Sequence, residues 1–242
     1  MIKNRKIQIL GIIFIVIGTL SITLSPFTLY FYYLPLIIFI IGILILWFSK
    51  RKIKSKIILT ILPFLFYGIF TFLWVKFNTV APETFLIPEN YRGRVNIIYK
   101  ENCGQFLEKT KEGFIYYIPE DGILLLSNEQ KYGFITHEYY MVDENGNKTI
   151  LPKMDVRDFN EEWTLEKNPN EPPRDKLGVF HWGRTGSIGK MIDANGNETN
   201  KDEQYTFKEF YISTYNDLED KFNFKYEREF DSIRDSKLEK CK

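Results

Sequence analysis

The chain has 242 residues, with 32 lysines and arginines, 31 aspartates and glutamates and a formal net charge of +1 at neutral pH. The charge is divided unequally, because residues 1–77 carry nine basic residues and no acidic one, whereas residues 78–242 hold every acid. The second part is therefore acidic and would repel phosphates, which excludes a nucleic-acid-binding protein of the usual basic kind.

Three long apolar runs occupy the first part of the chain. They cover residues 7–24, 27–48 and 57–77. Each run is close to the roughly 20 residues that a helix needs to cross a lipid bilayer. The sequence therefore predicts that residues 1–77 form a membrane anchor of three transmembrane helices.

Basic residues indicate the orientation of these helices. Lys3, Arg5 and Lys6 precede the first run, and five basic residues lie within Lys50–Lys56, between the second and third runs. Positively charged loops remain in the cytoplasm, so the N-terminus and this loop are predicted to be cytoplasmic. Three crossings would then place residues 78–242 outside. Buried ionisable groups mark most transport pathways, and the interiors of the runs have none, so we expect an anchor rather than a transporter.

A β-rich region follows the anchor. Residues 78–91 contain two prolines and few helix-forming residues, which predicts an extended stalk. Beyond it, short β-branched and aromatic runs alternate with Gly, Asp and Asn, as strands and turns do. The predicted strands are residues 94–100, 113–118, 122–127, 136–142, 148–151, 177–182 and 204–213. Their spacing is typical of an antiparallel β-sandwich of the immunoglobulin or transthyretin type, so residues 92–242 are predicted to form one extracytoplasmic β domain.

Two segments share the pattern D-x-N-G-N-x-T, at residues 143–149 and 193–199. Asn-Gly favours hairpin turns. The Asp and Asn oxygens could instead hold a cation, but neither copy has the glycine and glutamate spacing of an EF-hand loop. Residues 160–176 are predicted to be a polar loop. Gly183–Lys190 does not match the spacing of a phosphate-binding loop, and is predicted to be a flexible loop.

The C-terminal part of the chain is ambiguous between helix and strand. Apolar residues from Leu218 to Ile233 recur every three or four positions, as on one face of a helix. The aromatic residues between 222 and 226 also alternate, as in a strand. A polar cap near residue 216 and acidic residues in the following turn favour a C-terminal helix, with a break at Asn223.

Candidate catalytic chemistry is sparse. His137 and His181 are the only histidines, whereas a catalytic zinc site usually needs three protein ligands. Ser187 lacks the G-x-S-x-G elbow of a hydrolase. We therefore expect no catalysis, no metal and no cofactor. A metal-dependent envelope hydrolase that uses both histidines and a carboxylate is an alternative hypothesis.

Cys103 and Cys241 are the only cysteines. Outside the cytoplasm they could form a disulfide or stay free, and the sequence leaves both possibilities open. If the domain binds a ligand, its aromatic residues are candidate contacts, although core or strand-face positions are the favoured interpretation. These candidates are Tyr139, Tyr140, Trp163 and Trp182.

Three segments carry a resemblance to a known family. Phe85–Val95 has the pattern FLIPE-x-Y-x-G-x-V, and Tyr117–Leu124 and Ile212–Tyr215 follow it. These segments resemble an uncharacterised bacterial domain family of unknown function, whose members place such a domain after hydrophobic segments or export signals. The resemblance covers about residues 83–225 and implies a bacterial, membrane-associated protein. It supplies no catalytic residues.

The sequence thus predicts a multi-pass protein of the bacterial cytoplasmic membrane, with a cytoplasmic N-terminus and an extracytoplasmic domain. Its expected role is binding or structural, with the lipid bilayer and an envelope protein or glycan as partners and no nucleic acid. An accessory subunit of an envelope membrane complex is an alternative. The ligand and the oligomeric state stay open.

Overall fold

The computed structural model describes residues 5–24, 33–154, 172–189, 195, 204–221 and 224–241. The chain divides into two compact units, Met1–Thr79 and Val80–Lys242. Among the described residues, the first unit is helical, and the second combines two β-sheets with two helices.

The first unit contains the helices α1 (Arg5–Leu24), α2 (Tyr33–Phe48) and α3 (Ile53–Asn78). Glycines let α1 and α2 approach closely. A Cβ atom added to Gly18 would lie 2.8 Å from the backbone nitrogen of Phe39, and one added to Gly42 would lie 2.7 Å from that of Ile15. Small residues at these positions therefore bring the two backbones together, as in packed membrane helices.

The prediction of three transmembrane helices is wrong. Among the described residues, only two helices are long and apolar enough to cross a membrane, Arg5–Thr23 and Ile53–Asn78. The helix in the second apolar run has 16 residues. At about 1.5 Å per residue, it is shorter than the roughly 30 Å hydrocarbon core of a bilayer. Residues 27–32 of the predicted second span lie outside the described residues.

The second unit contains nine described strands in two sheets. The strands are β1 (Glu83–Pro88), β2 (Gly93–Tyr99), β3 (Lys109–Thr110), β4 (Gly113–Tyr117), β5 (Ile123–Leu125), β6 (His137–Val142), β7 (Lys148–Ile150), β8 (Gly178–Ile188) and β9 (Tyr205–Ser213). The five-stranded sheet has the order β3-β4-β1-β6-β7, and the four-stranded sheet has the order β5-β2-β9-β8.

Both sheets are mixed, which corrects the prediction of an antiparallel sandwich. β1 is parallel to both of its neighbours, β4 and β6, and β2 is parallel to β5. Consecutive strands such as β1 and β2 do not pair, because the chain passes from one sheet to the other between them. Turn signals between neighbouring runs predict hairpins, and here only some of those turns join paired strands.

The predicted stalk over residues 78–91 is also wrong. α3 continues to Asn78, and Glu83–Pro88 form β1 at the centre of the five-stranded sheet. Phe85 and Ile87 have no exposed surface, because alternate residues of this strand enter the core. Pro88 is tolerated because it stands at the end of the strand.

One hydrophobic core joins the two sheets. It includes Phe85 and Tyr139 of the five-stranded sheet and Val95, Ile97 and Phe210 of the four-stranded sheet. The inner aromatic rings contact one another across this core, with the Phe85 centroid 5.2 Å from that of Phe210. Burial of such large rings is the main favourable contribution to folding.

Two C-terminal helices confirm the helical interpretation of this part of the chain. They are α4 (Tyr215–Lys221) and α5 (Phe224–Glu239), with the predicted break between them. Thr214 caps α4, because its Oγ1 accepts a hydrogen bond of 3.1 Å from the backbone nitrogen of Asp217. Phe230 and Leu238 of α5 are buried.

Candidate functional site

A charged cluster lies between the two sheets. Glu83, the first residue of β1, and Lys208, in the middle of β9, are each 1% exposed. The Lys208 Nζ atom contacts the Glu83 Oε2 atom directly. The Tyr116 hydroxyl donates a hydrogen bond of 2.9 Å to Glu83 Oε1, and His137 Nε2 lies 3.1 Å from Glu83 Oε2. We call these four residues the buried cluster.

Burial and proximity shift the pKa values in the buried cluster. Burial lowers the pKa of Lys208, against the favourable effect of the Glu83 charge. Burial by itself raises the pKa of Glu83, but the adjacent His137 ring and the Lys208 charge outweigh it, and the pKa of Glu83 is lowered. Aromatic rings surround the pair, with the Lys208 Nζ atom 5.7 Å from the Phe85 centroid. The Glu83 carboxyl group and the Lys208 amine are therefore in contact in a largely apolar environment.

The second predicted histidine has different neighbours. His181 lies in β8 with a positive φ of 53°, and its ring centroid is 5.5 Å from that of Tyr211. Burial lowers the pKa of His181, and the Arg184 charge adds to this effect. In the described part of the chain, no group of three or more His, Cys, Asp and Glu side chains could hold a metal ion. The described residues therefore supply no set of metal ligands for the hypothesis of a histidine-dependent hydrolase.

An open cleft of about 900 Å³ lies at one edge of the five-stranded sheet. β1, β4 and β6 are parallel, so their carboxyl ends meet at this edge, opposite the end where the chain enters the unit at Val80. The lining residues come from the turns that follow these three strands and from α5. They are Pro88–Arg92, Glu120, Asp121, Val142–Asn145, Glu229, Phe230 and Ile233. We call this feature the acidic cleft.

Carboxylates dominate the polar lining of the acidic cleft. Six acidic residues and one arginine, Arg92, line it, and one of the acids, Asp121, is ion-paired with Lys237. The six acids are Glu89, Glu120, Asp121, Asp143, Glu144 and Glu229. The Asn147 side chain and backbone nitrogen donate to the Asp143 carboxylate and lower its pKa. Asp143 is therefore ionised at neutral pH. Buried Tyr91 and Phe230 supply apolar surface beneath the acids. Such a site favours a positively charged ligand with some apolar character.

Ion pairs hold α5 against the four-stranded sheet, and so fix one wall of the acidic cleft. The Arg94 Nε atom donates a hydrogen bond of 2.6 Å to Glu209 Oε2, and Arg94 also pairs with Asp231 of α5 at 3.1 Å. The same guanidinium group lies 5.1 Å from the Phe230 ring centroid. Glu209 is nearly fully buried, whereas the Asp231 side chain is 40% exposed. The pair with Glu209 therefore fixes the position of Arg94, and Arg94 in turn contacts α5 through Asp231 and Phe230.

A disulfide joins Cys103 to Cys241, at the end of α5, with their Cα atoms 5.1 Å apart. This separation lies within the range that disulfide geometry requires. The two cysteines are 138 residues apart in the sequence. The bond therefore ties the segment after β2 to the last turn of the chain, and holds the end of α5 in place.

The aromatic residues predicted as ligand contacts are distributed over several environments. Tyr139 is 1% exposed and belongs to the core. Tyr140 points outward, and its hydroxyl donates to Glu138 Oε2 at 3.0 Å. Trp182 is 48% exposed, with Lys153 Nζ 5.1 Å from its ring centroid. Trp163 lies outside the described residues. None of the three described residues lines the acidic cleft.

One of the predicted turns is found in the structure, and one of the predicted loops is a strand instead. The first copy of the pattern, at residues 143–149, does form a hairpin: residues 143–147 make the turn between β6 and β7, with Gly146 at φ 82°, and residues 148–149 begin β7. Residues 183–188 belong to β8, so the prediction of a flexible glycine-rich loop there is wrong. Apart from Asn195, the second copy of the turn pattern lies outside the described residues, as do residues 160–171 of the predicted polar loop.

The fold and the cleft define the second unit as a two-sheet domain with a candidate binding site at one edge. The chain belongs to the family described as "Family of unknown function (DUF6843)", which matches residues 79–220. The matched region contains all nine described strands and all but the last residue of α4. The predicted resemblance to an uncharacterised domain is thereby confirmed.

Other comparisons add little. No curated protein matches the chain. Among solved structures, a chain from Bacillus anthracis that is provisionally named a lipoprotein matches with a TM-score of 0.36 and 20% sequence identity. The match covers 56% of this chain and 71% of that chain. At these values the neighbour lends neither fold nor function to this protein.

Proposed function

We propose that this protein is a membrane-anchored binding protein, and that its two-sheet domain lies outside the cytoplasm and binds a positively charged envelope component in the acidic cleft. The observation that carries this proposal is the cleft itself, in which six carboxylates from three turns and α5 converge. The proposal is one of binding rather than catalysis, because the buried cluster contributes no residue to the lining of this cleft.

Anchoring is supported by the surfaces of the long helices. α3 has 26 residues, which is about 39 Å of helix at 1.5 Å per residue. None of the residues in its most apolar segment is buried within the protein, so its isoleucine, leucine and phenylalanine side chains need an apolar solvent. A bilayer supplies that solvent.

The side of the membrane is inferred from α3 and the disulfide. Basic residues cluster between Lys50 and Lys56, at the start of α3, and such clusters favour the cytoplasmic side. A single crossing by α3 then places Val80 and the residues after it outside. A disulfide between Cys103 and Cys241 supports the same side, because disulfides persist in oxidising compartments.

Cysteine labelling tests this topology. Glu112 and Lys52 are both exposed. In intact cells, a membrane-impermeant maleimide is expected to label a Glu112→Cys variant at once and a Lys52→Cys variant only after permeabilisation. The unmodified protein is the control, because its cysteines are paired and should not react. Labelling of Lys52→Cys in intact cells, without labelling of Glu112→Cys, would place the domain in the cytoplasm.

Charge neutralisation tests the ligand site. The triple variant Glu89→Gln, Glu120→Gln, Glu144→Gln should bind a lysine-rich probe peptide about tenfold more weakly, because three exposed charge pairs contribute about 0.5 kcal/mol each. The matched control neutralises three exposed acids outside the cleft, in Glu108→Gln, Glu112→Gln, Asp175→Asn. Binding to the full-length protein in detergent is measured by fluorescence anisotropy at low salt.

The outcome distinguishes the cleft from general electrostatic attraction. If the control triple variant loses as much affinity as the cleft variant, the net charge of the domain accounts for binding and the cleft is not the site. An amino-bearing oligosaccharide serves as a second probe and separates glycan from peptide recognition. A probe that binds in the cleft should bind the cleft variant more weakly than the control variant, whereas a probe attracted only by net charge should bind both variants equally.

A further inference from the structure

The buried cluster presents a reactive arrangement that the acidic cleft does not use. The Lys208 amine contacts the Glu83 carboxylate, and each residue is 1% exposed. The two residues come from different sheets and are 125 positions apart in the sequence. An amine and a carboxyl group are therefore held together where water and outside substrates do not reach them.

A buried ion pair between two sheets contributes little net free energy to folding. Desolvation of two ions costs several kcal/mol each, and their attraction often fails to offset that cost. A neutral amide in the same place would carry no such ionic penalty. The surroundings of Lys208, with the Phe85 and Tyr116 rings within about 6 Å of its amine, favour the neutral product.

The neighbouring groups suit the conversion of the pair into an amide. Tyr116 donates a hydrogen bond of 2.9 Å to Glu83 Oε1, and can stabilise negative charge that develops on that oxygen. His137 Nε2 lies 3.1 Å from Glu83 Oε2, within reach for proton transfer. Burial lowers the pKa of Lys208, which favours the neutral, nucleophilic amine. The pKa of Glu83 is lowered as well, so the carboxylic acid that the reaction needs forms only transiently, by proton transfer within the contact.

We infer that Lys208 and Glu83 become joined by an intramolecular amide bond. A proton first passes from the ammonium group to the carboxylate, which gives a neutral amine and a carboxylic acid. Nζ then attacks Cδ of Glu83, so an N–C bond forms while the bond from Cδ to Oε2 breaks. His137 moves a proton from the nitrogen to the departing Oε2, which leaves as water. Oε1 stays in the amide carbonyl, hydrogen-bonded to Tyr116. Nothing is oxidised or reduced.

Contact between the two groups raises the rate of amide formation above that of a free amine and a free acid in solution. Effective molarities of well-oriented intramolecular groups reach about 10⁵–10⁸ M. The buried cluster meets this condition because both side chains lie on paired strands, β1 with β4 and β6, and β9 with β2 and β8. The bond would link the five-stranded sheet to the four-stranded sheet covalently.

Intact mass spectrometry of the full-length protein tests the inference. After reduction of the disulfide and denaturation, the purified protein should weigh one water molecule less than its sequence. A protease digest should yield one branched peptide that contains both Glu83 and Lys208. A Lys208→Met variant should have its full sequence mass. The matched control is Lys237→Met, which removes another ion-paired lysine, the partner of Asp121, and should keep the loss of water.

A second variant identifies the chemistry. Glu83→Gln should lose ammonia instead of water and reach the same product mass as the unmodified protein. A full sequence mass for the folded, unmodified protein, with Glu83 and Lys208 recovered in separate linear peptides, would overturn the inference and leave an ion pair. Because that measurement uses the unmodified protein, it decides the question even if a variant fails to fold.

Discussion

Replacement of Gly113 by alanine is expected to lower the free energy of unfolding of the two-sheet domain by about 3 kcal/mol or more, from about 1–2 kcal/mol of backbone conformation and about 1–3 kcal/mol of overpacking. Gly113 has a φ of 121°, where other residues are strained. A Cβ atom there would lie 2.1 Å from the carbonyl oxygen of Pro82. That oxygen accepts a hydrogen bond of 2.8 Å from Phe114, so relief of the clash would break the start of the β1–β4 pairing.

Gly146 offers the matched control. It has a φ of 82°, and a Cβ atom there would meet nothing within 4 Å. Gly146→Ala should therefore carry only the conformational cost of about 1–2 kcal/mol. Urea denaturation followed by near-ultraviolet circular dichroism compares the two variants. Equal losses of stability would mean that the contact between Gly113 and Pro82 contributes nothing specific.

Removal of the disulfide, by Cys103→Ser together with Cys241→Ser, is expected to lower the stability of the domain by about 2–5 kcal/mol. The bond restricts the unfolded chain, because its ends are 138 residues apart and long loops lose the most entropy on closure. Hydrogen exchange should accelerate most in the last turns of α5, where the bond holds Cys241.

Reduction of the unmodified protein is the natural comparison for this variant. Reductant should destabilise the unmodified protein by a similar amount and leave the double-serine variant unchanged. Mass spectrometry with and without reduction establishes that the thiols are paired at the start. If the double-serine variant is as stable as the unmodified protein, the disulfide does not constrain the domain.

Local signals in the sequence located most strands well. The alternation around Val95 and Ile97 predicted a strand over residues 94–100, and β2 occupies Gly93–Tyr99. The turn Pro119–Gly122 separates β4 from β5. These features depend on a few adjacent residues, so period-two alternation and turn chemistry are sufficient to find them.

The pairing between strands could not be predicted from such local signals in the sequence. β1 lies between two strands that follow it later in the chain. Its three apolar residues, Phe85–Ile87, stand between two prolines, and this short segment was therefore predicted to be a stalk. Parallel pairing leaves no turn signature, because the connection is long. The prediction of antiparallel sheets failed for this reason.

The candidate sites depend on the same long-range pairing. Glu120 and Asp143 were recognisable as turn residues, but their convergence at one cleft follows from the parallel arrangement of β1, β4 and β6. Lys208 and Glu209 are adjacent in β9 and therefore lie on opposite faces of the strand, yet both are buried. An alternation of polar and apolar residues would not predict that either of them is buried. Their partners, Glu83 and Arg94, lie more than a hundred positions away.

The central position of β1 also determines how the domain would carry a mechanical load. A pull transmitted along the chain from α3 reaches the domain at Val80 and acts along β1, which lies between two parallel neighbours. Such a force strains the hydrogen bonds on both edges of β1 together, in shear, instead of opening them one after another. A pull on the end of the chain passes from Cys241 through the disulfide to Cys103. The covalent path therefore bypasses the residues between them, and β4 and β6 bear load only through their hydrogen bonds to β1.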